Sequence, residues 1–415
     1  MSGDAVDVLV IGGGPSGLTA ATELRRQGAG RVLVVERESA AGGIPRHSDH
    51  PGYGLRDLHR FLSGPAYARR LVQLAVEAGA ELRTSAMVTD WTGDHEVAVT
   101  SPSGRSTVRA RAIVLATGAR ERPRPARLIP GDRPAGVFTT GQLQNLVHLQ
   151  HRSPGTSAVI VGAELVSWSA AMTLREAGCR TVLMTSAYDR PEAYAAFTVP
   201  GRLALRVPVA TGTTLVRIIG HRRVEAVELE DVRTQARRVV SCDTVVLTGD
   251  WIPDHELARS ADVQLDDRTR GPLVDSAQRT SVDGVFAIGN LTHPVDTADI
   301  AALDGRHVAA TVLEYLRGAS VPDFGAGLEV LAGAHLRWVS PGRIANHRVP
   351  PRSRLLSWPT VASARPRLSI SQRGREIHRG RVAWPASPGR VFRIPVSVLR
   401  TARADQGPVT VSLEP

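Results

Sequence analysis

The chain has 415 residues, 42% of them hydrophobic and 22% charged, and carries a formal net charge of +11. It can hold two or three domains with sizeable cores and reads as an ordinary globular protein. All 51 basic residues are arginine, which excludes lysine Schiff-base chemistry and lysine general bases.

The first forty residues carry the strongest signal. Val8 to Ile11 is an apolar run that predicts a buried parallel strand. It leads into Gly12-x-Gly14-x-x-Gly17, then a helix over Leu18–Gln27 ended by Gly28 and Gly30, and a second strand closing on Glu36. Gly12 permits the tight turn, Gly14 lets a pyrophosphate approach the backbone, and Gly17 lets the helix pack on the strand. Pro15 and Ser16 complete the loop, and the helix N-terminus offers free N–H groups to phosphate. Glu36, with Arg37 after it, stands about 20 residues on, where a carboxylate accepts hydrogen bonds from a ribose. A GxGxxG alone could be a Gly-rich turn; the full order of elements predicts dinucleotide binding. The N-terminal position and the later motifs favour FAD over NAD.

Gly42-Gly43-Ile44-Pro45-Arg46-His47 is a loop by composition, and Arg46 and His47 could simply be exposed there. Residues 56–79 read as helical, broken into two helices at Gly64-Pro65, with Leu58, Phe61, Tyr67, Leu71, Leu74 and Ala75 apolar. Residues 81–84 and 97–100 read as strands of a small sheet. Residues 112–115 predict another buried strand, ending in Ala116-Thr117-Gly118, where small residues allow close approach to a cofactor. The Pro-rich stretch 123–134 reads as a linker.

Ser157 to Val161 opens a second strand–turn–helix unit, but only Gly162 of its glycine pattern remains. Glu164 and Ser167 stand at the other two glycine positions. A carboxylate there repels a pyrophosphate and fills its space. No ribose acid follows Met184-Thr185, so NAD(P)H binding is expected to be weak or lost; the competing reading is a variant loop that still binds. Residues 244–248 and 284–290 return to strand-ending patterns, and a helix is expected from Asp296-Thr297-Ala298 to Leu316. Beyond about His335, alternating apolar residues predict a small all-β region with no cofactor motif.

Several absences narrow the function. Cys179 and Cys242 are the two cysteines, too far apart in sequence for a CxxC pair and too few for a four-cysteine iron–sulfur site. No metal site is expected. The arginines are scattered among 40 acids without an aromatic-plus-basic motif, so nucleic acid is not expected. With no run of about eighteen apolar residues and a strand starting near the N-terminus, neither a membrane span nor a signal peptide is expected, and the reading is cytoplasmic.

The residues 42–47, Gly64-Pro65-Ala66-Tyr67-Ala68-Arg69-Arg70, Val161-Gly162-Ala163-Glu164, Thr248-Gly249-Asp250-Trp251-Ile252-Pro253-Asp254-His255-Glu256, and Gly289-Asn290 followed by Asp296-Thr297-Ala298 resemble one group. That group is the FAD-binding α subunits of opine oxidases, heteromeric L-proline dehydrogenases and hydrogen cyanide synthase, within the FAD-dependent pyridine-nucleotide-type oxidoreductases. The resemblance covers roughly residues 5–320. It implies FAD as cofactor, an amine or imino acid as substrate and, as partner, a second, β-type flavoprotein subunit. It further implies that Gly43, Ile44, Arg46 and His47 lie on the flavin side, with Arg46 and His47 the candidate catalytic residues. Val88 would hold the adenine through its backbone, Asn290 after Gly289 would take the place of a carboxylate on the ribityl chain, and Thr297 and Ala298 would face the flavin. Two departures stand out: Ser48 replaces a cysteine common in relatives, and a cysteine-rich C-terminal module is absent.

The expected fold is therefore α/β, two Rossmann-like dinucleotide-binding domains plus a C-terminal β region. The FAD domain occupies 1–125 and 245–325, interrupted by an NAD(P)-like domain at 126–244, with the β region at 326–415. The arginine-rich β region is the part freest to be an interface, so a chain ending near Gly325 is expected to keep FAD and lose its partner. Three functions compete: a redox subunit of an amine, imino-acid or opine dehydrogenase; a stand-alone NAD(P)H-dependent flavin reductase; and a non-catalytic FAD-bearing scaffold.

Overall fold

Strand Asp4–Ile11 lies at the centre of a seven-stranded sheet, with Val32–Val35 parallel on one side and Gly104–Leu115 parallel on the other. Its apolar run is continuous because both faces are covered: Val8 and Val10 belong to one buried cluster, Leu9 and Ile11 to the other. Glu81–Arg83 extends the sheet beyond Val32–Val35. Past Gly104–Leu115 the sheet forks. Its N-terminal half pairs antiparallel with Glu96–Ser101, which pairs in turn with Met87–Gly93, and its C-terminal half pairs parallel with Val285–Ala287. The computed structural model describes residues 4–319, 323–345 and 348–415 and divides into two compact units, 1–46 with 51–119 and 252–415, and 47–50 with 120–251.

Helices Pro15–Arg26 and Ala298–Leu316 cover one face of this sheet and touch each other closely. Gly305 makes that possible: a Cβ there would lie 2.1 Å from the Ser16 carbonyl oxygen. The sequence reading of two helices over 56–79 needs correction. One helix, Gly64–Glu77, forms, with Ser63 as its N-cap accepting from the Ala66 N–H. Gly64-Pro65 starts it, as proline suits a first helical turn. Residues 55–59 form a turn and Leu62–Ser63 a short strand, while Phe61, assigned to the apolar face, is 66% exposed.

The second unit carries a five-stranded parallel sheet, ordered Val137–Thr139, Thr244–Leu247, Ser157–Val161, Arg180–Thr185, Val209–Ala210. A three-stranded antiparallel sheet, Thr213–Ile219, Ala226–Asp231 and Arg237–Ser241, accompanies it. Cys179 and Cys242 are buried in two different apolar clusters, and burial pushes both thiols up to about 11.

The C-terminal region folds as two sheets around one apolar cluster that includes Leu355, Ile370, Ile394 and Val411. The β character read from the sequence is present, with further strands at Leu328–Ala332, Arg354–Pro359 and Arg375–Arg381. Residues 47–50 join the inserted unit, whose ends fall at Arg120 and Trp251, and residues 326–415 belong to the same compact unit as the first dinucleotide fold. The cause is a dense set of polar contacts that the β region makes with that fold, such as Ser276 Oγ donating to the Arg348 carbonyl and accepting from the Ala345 N–H. No described helix is long and apolar enough to cross a membrane.

Candidate functional site

The first glycine loop is shaped as a phosphate cradle. Gly12 has φ +110°, and a Cβ on it would meet the Ala116 carbonyl oxygen at 2.4 Å. A Cβ on Gly17 would sit 2.0 Å from the Gly12 carbonyl oxygen. These two glycines are required by the fold itself. Gly14 differs: its Cβ would meet only the Gly43 Cα, at 4.0 Å. The space beside it is open, so its lack of a side chain serves something the protein does not itself supply. Gly14 is also the N-cap of helix Pro15–Arg26 and makes no side-chain cap bond, which leaves first-turn N–H groups for a ligand. The residues present therefore fit a pyrophosphate.

Around this loop the assigned residues gather. Glu36 is buried, its Oε2 accepting from Gly13 N and its Oε1 from Glu38 N, both at 2.8 Å. Those bonds fix the carboxylate at the end of strand Val32–Val35 and leave each oxygen a further lone pair for a ribose hydroxyl. Arg37 turns to Asp254, 3.6 Å away. Val88 is buried two residues beyond Ala86, whose N–H donates to the Glu36 carbonyl. Gly43 lies over the cradle, where a Cβ would come within 2.9 Å of the Gly14 Cα, and Gly42 N donates to Gly13 O. Ile44 beside it is 56% exposed. Ala116 is buried under the loop, and Thr117 Oγ1 donates to the Asp254 carbonyl while the Gly118 carbonyl accepts from Asp254 N.

The two candidate catalytic residues part at the unit boundary. Arg46 ends a segment of the first unit; His47 begins a segment of the second and is buried rather than exposed. In that second unit Ser48 is buried, 3.0 Å from His50 Nε2, and accepts from Gln144 Nε2.

Asn290 follows Gly289 in the loop before helix Ala298–Leu316. Its amide spans its own loop: Nδ2 donates to the Asp296 carbonyl and Oδ1 accepts from Asp296 N. These bonds hold residues 290–296 in shape and leave the amide a second N–H and a second lone pair. The helix beyond starts at Ala298 with Thr297 as N-cap, and Thr297 makes no side-chain cap bond. Asp299 in its first turn is buried and paired with Arg56.

The second glycine loop is closed. Ser167 Oγ accepts from Glu164 N at 3.0 Å and lies 2.7 Å from Thr248 Oγ1. The Glu164 carboxylate packs on Gly249, where a Cβ would fall 1.9 Å from its Oε1. Burial, with Glu192 and Glu121 near, pushes its carboxyl up to about 8. Glu121 and Glu192 are buried too, and burial raises both. Arg127 does not open the site to an anion, since it donates to the carbonyls of Arg122, Thr248 and Gly249. Here the residues do not fit a dinucleotide pyrophosphate. Glu121 and Glu192 lie outside any glycine motif, and no sequence signal marks them. Among the described residues, no cluster of histidine, cysteine or acidic side chains could hold a metal.

The pyridine nucleotide-disulphide oxidoreductase family matches residues 6–305. The chain belongs to that family. It is thus an oxidoreductase of an FAD-binding family with two Rossmann-like folds. An opine oxidase subunit of Agrobacterium tumefaciens is 28% identical over 76% of this chain, which covers 66% of the length of that relative. Thioredoxin reductase of Treponema pallidum is 28% identical over 75% of this chain and 98% of its own. The ferredoxin reductase component of a chlorobenzene dioxygenase from Cupriavidus is 29% identical over 69% and 67%. Among solved structures, thioredoxin reductase of T. acidophilum superposes with a TM-score of 0.64 at 22% identity, covering 76% of this chain and 99% of its own. L-Proline dehydrogenase of P. horikoshii gives 0.54 at 18%, covering 78% and 58%. The likenesses to solved structures are of fold.

Proposed function

We propose that the chain is the FAD-carrying subunit of a heteromeric dehydrogenase or oxidase acting on the C–N bond of an amine, imino acid or opine. One observation carries the reading: the first glycine loop is open where a phosphate belongs, while the second is closed by Glu164, Ser167 and Thr248. A flavoprotein without a nicotinamide site and without a dithiol must take electrons from somewhere else. A second flavoprotein subunit that oxidises the amine meets that need, and the likeness to a protein named as a subunit of opine oxidase supports it. Bound FAD would supply a two-electron acceptor. In this reading Gly12, Gly14, Pro15, Ser16 and Gly17 hold the pyrophosphate, Glu36 the ribose, and Gly43, Val88, Thr117, Gly118, Thr297 and Ala298 line the remainder. Arg46 and His47 are the candidates for contact with substrate or partner. Buried, unpaired thiols are compatible with the cytoplasm.

A stand-alone NAD(P)H-dependent reductase is the second reading, favoured by the relatives named thioredoxin reductase and ferredoxin reductase. One experiment separates the two. The protein is purified from its native host with whatever chains accompany it, and its flavin spectrum is followed after mixing with NADH, NADPH and amines. The first reading expects a yellow protein that NADH and NADPH leave oxidised for seconds and that reduces a dye from amines only beside its partner. Fast bleaching by either nicotinamide establishes the second reading, and a protein that stays colourless after FAD reconstitution defeats both.

A further inference from the structure

The C-terminal β region holds the helix that follows Gly289-Asn290 at two places. Arg393, in strand Phe392–Pro395, donates through Nη2 to both carboxylate oxygens of Asp296, at 2.7 Å each. Arg352 donates through Nη1 to Asp304 Oδ1 at 2.5 Å and to the Ile300 carbonyl at 3.3 Å. The other Asp304 oxygen is bound to His293 Nε2. His293 lies in the loop between Asn290 and Asp296. The two arginines therefore bracket one segment: the loop 289–297, braced inside by the Asn290 amide, and the first two turns of helix Ala298–Leu316. Asp296, His293 and Asp304 are all buried. Burial works against the charge of Asp304, but Arg352 and His293 outweigh it and hold its carboxyl well below the ordinary range.

Asp296 stands directly before the helix N-terminus, and its Oδ1 accepts from Thr297 N. A helix N-terminus favours negative charge in a ligand. An unpaired carboxylate at that spot would cancel the effect, and one paired to arginine would not. We propose that Arg393 and Arg352 are positioning residues for the cofactor. They fix loop 289–297 and the start of the helix in the form FAD requires, and Arg393 neutralises Asp296 so that the helix end stays attractive to negative charge. The C-terminal β region is then part of the cofactor site's support. This inference rests on the reading that Gly289, Thr297 and Ala298 face FAD.

The test uses the full-length protein. FAD affinity is measured by fluorescence titration of the apoprotein, and the flavin midpoint potential by dye equilibration. R393Q and R352Q are expected to weaken FAD at least tenfold, and R393Q to lower the midpoint potential. D296N keeps the side chain's shape and removes its charge, so R393Q/D296N is expected to recover potential that R393Q lost. R379A, at an exposed pair with Glu414 in the same region, should match the wild type. Where R393Q does not accumulate as a folded protein, D296N alone carries the test and is expected to raise the potential. Wild-type protein that takes up no FAD overturns the cofactor reading and this inference together. Wild-type protein that binds FAD, beside R393Q and R352Q of unchanged affinity, or D296N of unchanged potential, overturns the inference alone.

Discussion

Two glycine loops follow parallel strands in this chain, Gly12–Gly17 after Asp4–Ile11 and Gly162–Ser167 after Ser157–Val161. Both begin with a glycine at positive φ whose absent Cβ lets a neighbouring strand pass: Ala116 in the first, Thr248 in the second. They diverge at the next position. Gly14 leaves open space, and Glu164 brings a carboxylate that its own loop and Gly249 enclose. The second loop thus keeps the first, architectural glycine and lacks both others: Glu164 stands at the ligand position, and at the position of Gly17 stands Ser167, whose hydroxyl accepts from Glu164 N and lies 2.7 Å from Thr248 Oγ1.

The largest expected effect tests the architectural glycine. Gly12→Ala places a Cβ against a backbone carbonyl and forces a left-handed φ, and should yield insoluble or unfolded protein, a cost of several kcal/mol. Gly14→Ala should remain folded, within about 1 kcal/mol of wild type by thermal melt, while losing FAD about a hundredfold, roughly 2.7 kcal/mol. If both variants fold and load FAD equally, the distinction between the two kinds of glycine is wrong. Next in size is the closed loop. Glu164→Gly with Ser167→Gly should raise NADPH affinity about tenfold by isothermal titration, near 1.4 kcal/mol; unchanged affinity would mean that the site was lost for further reasons.

A pH effect of similar size follows from Glu164. Its folded-state value, about 8, lies above the ordinary 4.5, so between these the folded protein holds a proton that the unfolded chain has released. Stability from this group is complete below about pH 4.5 and is lost as pH rises through 8. Glu164→Gln should flatten that decline and be more stable at pH 8.5 by about 2 kcal/mol, discounted because the side chain keeps some contact with water. Equal melting curves from pH 5 to 8.5 would refute the buried acid. The smallest effect concerns Cys179 and Cys242. A thiol-specific chromophore should label neither within minutes in the native state, since burial raises both to about 11. Rapid labelling would return a redox role to the second unit.

What the sequence could carry was local. Gly12, Gly14, Gly17 and Glu36 form a cradle because their spacing encodes a turn, a helix start and a strand end. The same patterning misled at 56–63, where Leu58 and Phe61 imitate helical spacing and tertiary context turns the chain into a turn and a short strand instead. The bracing of loop 290–296 was not legible for another reason: the Asn290 amide bonds the Asp296 backbone, and a motif does not say which protein partners an amide takes. Arg393 and Asp296 lie 97 residues apart. Neither periodicity nor composition links such residues, so the attachment of the β region to helix Ala298–Leu316 became legible only in three dimensions.

The contact between Gly305 and Ser16 has a consequence for how the protein is made. Strand Val285–Ala287 and helix Ala298–Leu316 complete the sheet and the layer begun by the first thirty-five residues, and the whole inserted unit is synthesised in between. Contacts of such high sequence separation close late. On the ribosome the N-terminal strand and helix must wait, one face uncovered, until residues beyond 316 emerge. Flavin capture is then expected to be a final event of synthesis. Ribosome-bound chains stalled near residue 250 should show no quenching of added FAD, and chains stalled beyond the C-terminal strands should show it.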